Sequence, residues 1–170
     1  IYGLLVHDTK ILSGNKGKVI INILNKLKSQ KLVKKIGVSI YDPVELDNVM
    51  SLMEINIVQA PLNIIDRRLE ISGWLSKLHK KGIEVHTRST FLQGLLLMPR
   101  AKVPPKFDQW SNIWDSWAQE LEKNNLDAAS VCLSYPLSLT EVSRVIIGVD
   151  NLDQFKSLIV ASNANLKKKD

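Results

Sequence analysis

A chain of 170 residues, 45% hydrophobic and 24% charged, is large enough to bury a core and falls within the size of one domain. Its longest apolar runs, Gly94 to Met98 and Val145 to Val149, fall far short of the roughly 20 residues a membrane helix needs, and no basic segment leads into a signal-like start. The net charge of +6 comes mostly from lysines at helical spacing between Lys16 and Lys35, from Lys77, Lys80 and Lys81, and from the terminal Lys167 to Lys169; no aromatics interleave with them, which argues against a nucleic-acid platform.

The apolar period changes repeatedly along the chain, and turn or cap residues mark each change. Tyr2 to Val6 reads as a strand ending in His7-Asp8, with Gly14-Asn15 punctuating the loop. Val19, Ile20, Ile23, Leu24 and Leu27 then recur at spacings of three and four, predicting an amphipathic helix from Lys16 to about Leu32. Ile36 to Tyr41 is the second strand; Asp42-Pro43 offers an N-cap and a proline at the first position of a short helix carrying Val44, Leu46, Val49 and Met50. Ile55 to Ala60 is a third strand, Leu69 to Lys80 a third helix closed by Gly82, and Ile83 to Thr87 a fourth strand.

A long connection from Ser89 to Phe107 breaks the rhythm, a length usually reserved for function or mobility. Trp110, Ile113, Trp114 and Trp117 share a face of the next helix and are expected to pack on its neighbours. Ala128 to Leu137 continues the helical layer, Val145 to Val149 is a fifth strand and Leu152 to Val160 a last helix. Residues 1–170 form a single domain on this reading, with 161–170 a frayed basic tail. The one cysteine, Cys132, lies in an apolar context and cannot form an internal disulfide, in keeping with a reducing, cytoplasmic setting.

Near-continuously apolar strands, each followed by a helix, imply an α/β fold with a parallel sheet covered by helices. Two architectures satisfy this, an open doubly wound sheet or part of an eight-stranded (β/α)8 TIM barrel. The first is expected to carry a Gly-x-Gly-x-x-Gly loop, which is absent. In either case the active face lies at the carboxyl ends of the strands, which makes a serine closing the strand at Ser39 notable. The other polar residues there are His7, Asp8, Gln59, Asn63, His86, Arg88, Ser89 and the run Gly148 to Asn151. Gln59, between Val58 and Ala60, is a buried amide that needs partners, from a neighbouring strand or from a ligand. The histidines come from separate elements, so no metal site is expected, and no nucleophile elbow or Gly-rich phosphate loop is present.

Taken in order, these strand ends resemble the C-terminal part of the aldo/keto reductase family. "YGLLVHD" is similar to its fourth barrel strand, "IGVSIYDPVEL" to its Gly-Val-Ser-Asn-Phe segment, "NIVQAPLNIIDRR" to its sixth strand, "GIEVHTRSTFLQGLLL" to its seventh and "VIIGVDNLDQF" to its eighth. The resemblance implies a partial barrel of about five parallel strands from the fourth to the eighth, the first three β/α units being absent. It implies an NADP or NAD cofactor, and His7 as the catalytic-tetrad histidine. Ser39 and Gln59 would hold the nicotinamide carboxamide; Ser89, Phe91, Gln93, Gly94 and Leu95 would pass over the pyrophosphate; Gly148, Asp150, Asn151 and Gln154 would serve the adenosine side.

The departures carry their own implications. Ile40 stands where the family has asparagine, Arg88 where a tyrosine usually stacks on the nicotinamide, and Leu158 about where a cofactor-binding asparagine lies. Arg88 can stack in the tyrosine's place and would suit an anionic substrate. Asp150 opposes a 2′-phosphate unless Lys156 offsets it, so the cofactor preference stays open. The tetrad's aspartate, tyrosine and lysine have no match here.

The expectation is therefore a fragment of an NAD(P)-dependent oxidoreductase that reduces the carbonyl of a small polar or sugar-like substrate, inactive as this chain alone and binding its cofactor weakly. The alternative is a non-catalytic binding or assembly module on a half-barrel scaffold. An open sheet with two bare edges and an apolar inner face further predicts a homo-oligomer, or association with a missing N-terminal segment.

Overall fold

The alternation of apolar runs and amphipathic stretches resolves into one sheet with helices on one side; the computed structural model describes residues 1–164. The strands are β1 (Gly3–Val6), β2 (Lys35–Ser39), β3 (Ile57–Pro61), β4 (Glu84–Arg88) and β5 (Arg144–Val145), all parallel and ordered β1-β2-β3-β4-β5. The helices are α1 (Gly14–Ser29), α2 (Glu45–Leu52), α3 (Arg68–Ile71), α4 (Trp74–Lys80), α5 (Ser111–Lys123), α6 (Ala128–Leu137) and α7 (Leu152–Ser162).

Strand parity divides the sheet into two faces. Ile36, Val38, Ile40, Val58, Ala60 and Val85 point to the helices and form the main core with Leu24, Leu46, Val49, Leu75 and Leu78. The alternate residues, Lys35, Gly37 and Ser39, Ile57 and Gln59, Glu84, His86 and Arg88, occupy the inner face. That face is polar, a correction to the apolar inner surface expected from the continuous strand hydrophobicity. Its strands approach closely at Gly37, where an added Cβ would lie 1.7 Å from the Ile57 carbonyl oxygen.

Five local expectations change. The helix predicted over Leu69 to Lys80 is two, because Gly73 takes a left-handed φ of 76° between α3 and α4. α1 ends at Ser29 rather than near Leu32, as Lys31 turns left-handed at φ 60°. β5 pairs over two residues rather than five. Ile146 N–H still reaches the Thr87 carbonyl at 2.8 Å, but Ser89 then leaves the sheet at φ 60° and gives the fifth strand nothing further to pair with. Of the tryptophan helix, Trp114 is buried while Trp110 and Ile113 are 44% and 42% exposed, so that face is only partly packed. Ala161 and Ser162 close α7, with Ala161 buried, rather than belonging to a frayed tail; 165–170 lie outside the described residues.

Candidate functional site

The helix start after β2 is built by its sequence. The Asp42 side chain accepts the Val44 N–H at 3.0 Å, and Glu45 Oε1 reaches back to the Tyr41 and Asp42 N–H groups at 2.8 and 2.9 Å. These bonds fix the loop that follows Ser39; α2 itself starts at Glu45 with Val44 before it, so Asp42 and Pro43 form the turn leading into the helix rather than its cap and first residue. Thr9, from the loop after β1, donates to the other Glu45 oxygen. Burial would raise Glu45, but bonds from Thr9, Asp42 and Tyr41 outweigh it and hold the carboxyl below its ordinary value. Two strand-end loops are thereby tied to one carboxylate.

At the mouth of the sheet Ser39 and Gln59 stand in register, and the buried Ser39 hydroxyl donates to Gln59 Oε1 at 3.2 Å. The Gln59 amide nitrogen has no acceptor among the described residues and can serve a ligand. Arg88, one layer further along, donates to the Ile40 carbonyl at 3.0 Å and to Ser89 Oγ at 3.2 Å, with its guanidinium 4.6 Å from the Tyr41 ring centroid. The plane expected to lie over a nicotinamide is thus held by Tyr41 and the β2 terminus. His7 is exposed, edge-on to the other side of this cluster, its ring 5.8 Å from that of Tyr41. Tyr41 bridges His7 and Arg88, a role the sequence hides because it depends on three strands coming together.

A groove of about 820 Å³ opens beside these strand ends. Ser89, Phe91, Gln93 and Gly94 line one wall; Gly148, Asp150, Asn151 and Gln154, some sixty residues away in sequence, line the other. Eight of the expected cofactor residues therefore share one concave surface. Leu95 does not line it: its side chain is buried in the apolar cluster of Leu96, Trp114 and Cys132, because the short helical turn at Leu95–Leu97 rotates it inward. Leu158 lines the groove as an apolar wall. Asn151 and Gln154 also cap α7, Asn151 accepting the Gln154 N–H at 2.9 Å and Gln154 accepting the Asp150 N–H at 2.8 Å.

The groove fits an extended polar ligand in three respects. A Cβ added at Gly94 or Gly148 would meet nothing within 4 Å, so the chain leaves open space there. Thr90, buried in the same wall, has a hydroxyl without a hydrogen-bond partner among the described residues. The loop also spends conformational energy on its shape, since Ser89, Leu92 and Gln93 are all left-handed without being glycine.

Deeper on the inner face, Glu84 gathers Tyr2 Oη at 2.7 Å, Lys35 Nζ at 2.5 Å and His86 Nε2 at 3.3 Å. Burial would raise Glu84, but these partners hold it below its ordinary value. Burial also holds His86 below the usual histidine range, against the opposing pull of Glu84. Sequence reading missed this cluster, although the parity of Glu84 and His86 on one strand was the available signal. Cys132 is buried with its thiol pushed up to about 12, which makes it an inert core group. Among the described residues no His, Cys, Asp and Glu group could hold a metal, and no helix is long and apolar enough to cross a membrane.

The sequence profile of the aldo/keto reductase family matches residues 17–170. The chain is 24% identical over 163 residues to an NADH-specific methylglyoxal reductase of Escherichia coli (strain K12), covering 87% of this chain and 49% of that protein. It superposes on the holo form of an aldo-keto reductase from Bacillus halodurans with a TM-score of 0.74 at 21% identity, covering 97% of this chain and 56% of that one. For the glycerol dehydrogenase of Gluconobacter oxydans the TM-score is 0.59 at 18% identity, with 99% and 62% covered. The chain thus spans about half the length of the curated relative, and its five strands with their helices match part of a TIM barrel.

Proposed function

Because the chain belongs to the aldo/keto reductase family, we propose that it is the dinucleotide-binding part of an oxidoreductase that reduces the carbonyl of a small polar or sugar-like substrate. The observation that carries this reading is the shared groove, which brings Ser89, Phe91, Gln93 and Gly94 against Gly148, Asp150, Asn151 and Gln154; the Ser39–Gln59 pair does not line it but closes β2 and β3 of the same sheet. A dinucleotide bound there supplies the hydride. Gln59 offers its free amide N–H groups to the carboxamide, Ser39 orients that amide through its own bond, and Gly94 and Gly148 leave room for close approach of the backbone.

Asp150, exposed at the adenosine end of this reading, favours NADH, because its carboxylate would face the 2′-phosphate of NADPH. The relative that is an NADH-specific reductase agrees in direction. His7 is the one residue here that matches the tetrad, so this chain alone binds without turnover. Arg88, already bonded to Ile40 and packed on Tyr41, contributes positive charge near the substrate rather than a free stacking plane. The reading includes a cytoplasmic setting and association with further copies or with a segment that completes the barrel.

The test is a titration with NADH and NADPH, followed by nicotinamide fluorescence, on the parent chain and on Gly148→Trp. That glycine has open space at its Cβ position and no positive φ, so a large side chain blocks the groove without straining the backbone. Weak saturable binding that is stronger for NADH and lost in Gly148→Trp supports the reading. Binding unchanged by Gly148→Trp overturns it, and a chain that binds neither nucleotide points to the assembly module instead.

A further inference from the structure

The loop from Ser89 to Leu95 has a second side. Adjoining the groove lies a cavity of about 440 Å³ bounded by Ile65, Leu92, Phe107, Trp110, Ile113 and Trp114, with Ser89 and Gln93 as its polar contribution. This volume is the scale of a single small ligand rather than of a docked helix. Its floor is fixed: Trp114 is buried and donates its indole N–H to the Phe107 carbonyl at 3.2 Å, while the Phe107 ring stands edge-on to it at 6.2 Å. Its rim is open. Trp110, tilted against Phe107 at 6.1 Å, is 44% exposed, and Ile65 and Ile113 also face solvent. The Trp110 indole N–H has no acceptor among the described residues.

Core aromatics normally close on one another, and four residues of left-handed backbone, Ser89, Leu92, Gln93 and Gly94, hold this wall away from the aromatic floor. We propose that the cavity is a second ligand site, which shares Ser89 and Gln93 with the groove wall and takes a planar, largely apolar molecule carrying a hydrogen-bond acceptor. Aromatic walls at right angles match the face and edge of a flat ring, and Ser89, Gln93 and the Trp110 N–H supply orientation at the rim. Charged ligands are disfavoured, since no carboxylate, lysine or arginine lines the cavity.

The probe is 6-propionyl-2-(dimethylamino)naphthalene, a planar, largely apolar fluorophore whose ketone oxygen is a hydrogen-bond acceptor, titrated against the full chain with circular dichroism as the folding control. The parent chain is expected to bind one equivalent saturably. Ile65→Trp fills the cavity and Trp110→Ala removes its rim, and each is expected to weaken binding about tenfold or more. Ala118→Trp fills the adjoining cleft, which shares Leu95 and Trp114 with the cavity, and is expected to weaken binding less than either. Trp110 is exposed, so Trp110→Ala tests the site even where Ile65→Trp fails to fold. Absence of saturable binding by the parent, equal weakening by all three variants, or weakening by Ala118→Trp alone would each overturn the proposal.

Discussion

Ser39 and Gln59 face each other in register across β2 and β3, and the Ser39 hydroxyl donates to Gln59 Oε1, the side-chain amide oxygen, at 3.2 Å. The bond decides which end of the Gln59 amide is committed to protein and which is left over: the oxygen is held and the N–H groups are presented. An amide so fixed can bind a carbonyl oxygen without first losing its rotational freedom.

Gln59→Leu is therefore expected to cut NADH affinity about tenfold, because the donor itself is lost. Ser39→Ala keeps the donor but frees the amide to turn; a smaller loss of affinity is expected, together with about 1 kcal/mol of stability from the unpaired Gln59 oxygen. Nucleotide titration and urea denaturation on both variants separate the two effects. An equal loss of affinity in both would place Ser39 on the ligand rather than behind it.

Two glycines should respond in opposite ways to the same change. At Gly37 an alanine methyl would lie 1.7 Å from the Ile57 carbonyl oxygen, backbone that cannot yield without separating β2 from β3. Gly37→Ala is expected to destabilise the chain by about 3 kcal/mol or more. Gly148→Ala meets nothing within 4 Å and should stay within about 0.5 kcal/mol of the parent. Urea denaturation of the pair checks this, and a tolerant Gly37 would contradict the observed strand register.

The strand–helix alternation was legible because the strands are short, apolar-rich runs bounded by turn residues and the longer helices repeat at three and four. Parity along one strand puts His86 and Arg88 on one face, but only the paired register shows that Lys35 and Glu84 share it as an inner face. The groove residues came through the family resemblance, since no local pattern joins Gln93 to Gln154. The inward turn of the Leu95 side chain was hidden because it depends on a three-residue helical turn, and the Tyr41 bridge because it joins residues from three strand ends. The break at Gly73 was visible as a Ser-Gly pair inside a helical period, overridden by the apolar spacing on either side.

The inner-face cluster gives the chain a pH dependence. Burial, and the positive charges of Arg144 and Lys35, keep His86 below the ordinary histidine value of about 6.5, while Glu84 pulls the other way. With the folded value depressed, the unfolded chain takes up the proton first. Stability is complete above about pH 6.5 and declines as pH falls through the folded value. Glu45, Asp66, Glu70 and Glu84 are all held below their ordinary values and add a second loss in the acid range, below about pH 4.5. Melting temperatures are expected to fall between pH 7 and pH 5 in the parent and to flatten there in His86→Gln. A parent flat over that interval would remove His86 from the account.

Association should follow the edges of the sheet rather than its inner face. β1 and β5 are each paired on one side only, and the helices beside them expose apolar stripes: Val19 and Ile23 on α1, and Leu152, Phe155, Ile159 and Val160 on α7. The inner face carries Lys35, Arg88 and Arg144 against Glu84, so two copies packed inner face to inner face would oppose like charge with like charge. Contact through the α1 and α7 margins covers apolar surface without that penalty and lets the bare strand edges pair. Light scattering at micromolar concentration is expected to give a mass above the monomer, reduced to the monomer in the double variant Ile23→Lys/Ile159→Lys. Lys35→Glu, which alters the inner face alone, should leave the parent mass unchanged. If Lys35→Glu shifts the mass and the double variant does not, the copies meet through the inner face and the charge argument fails.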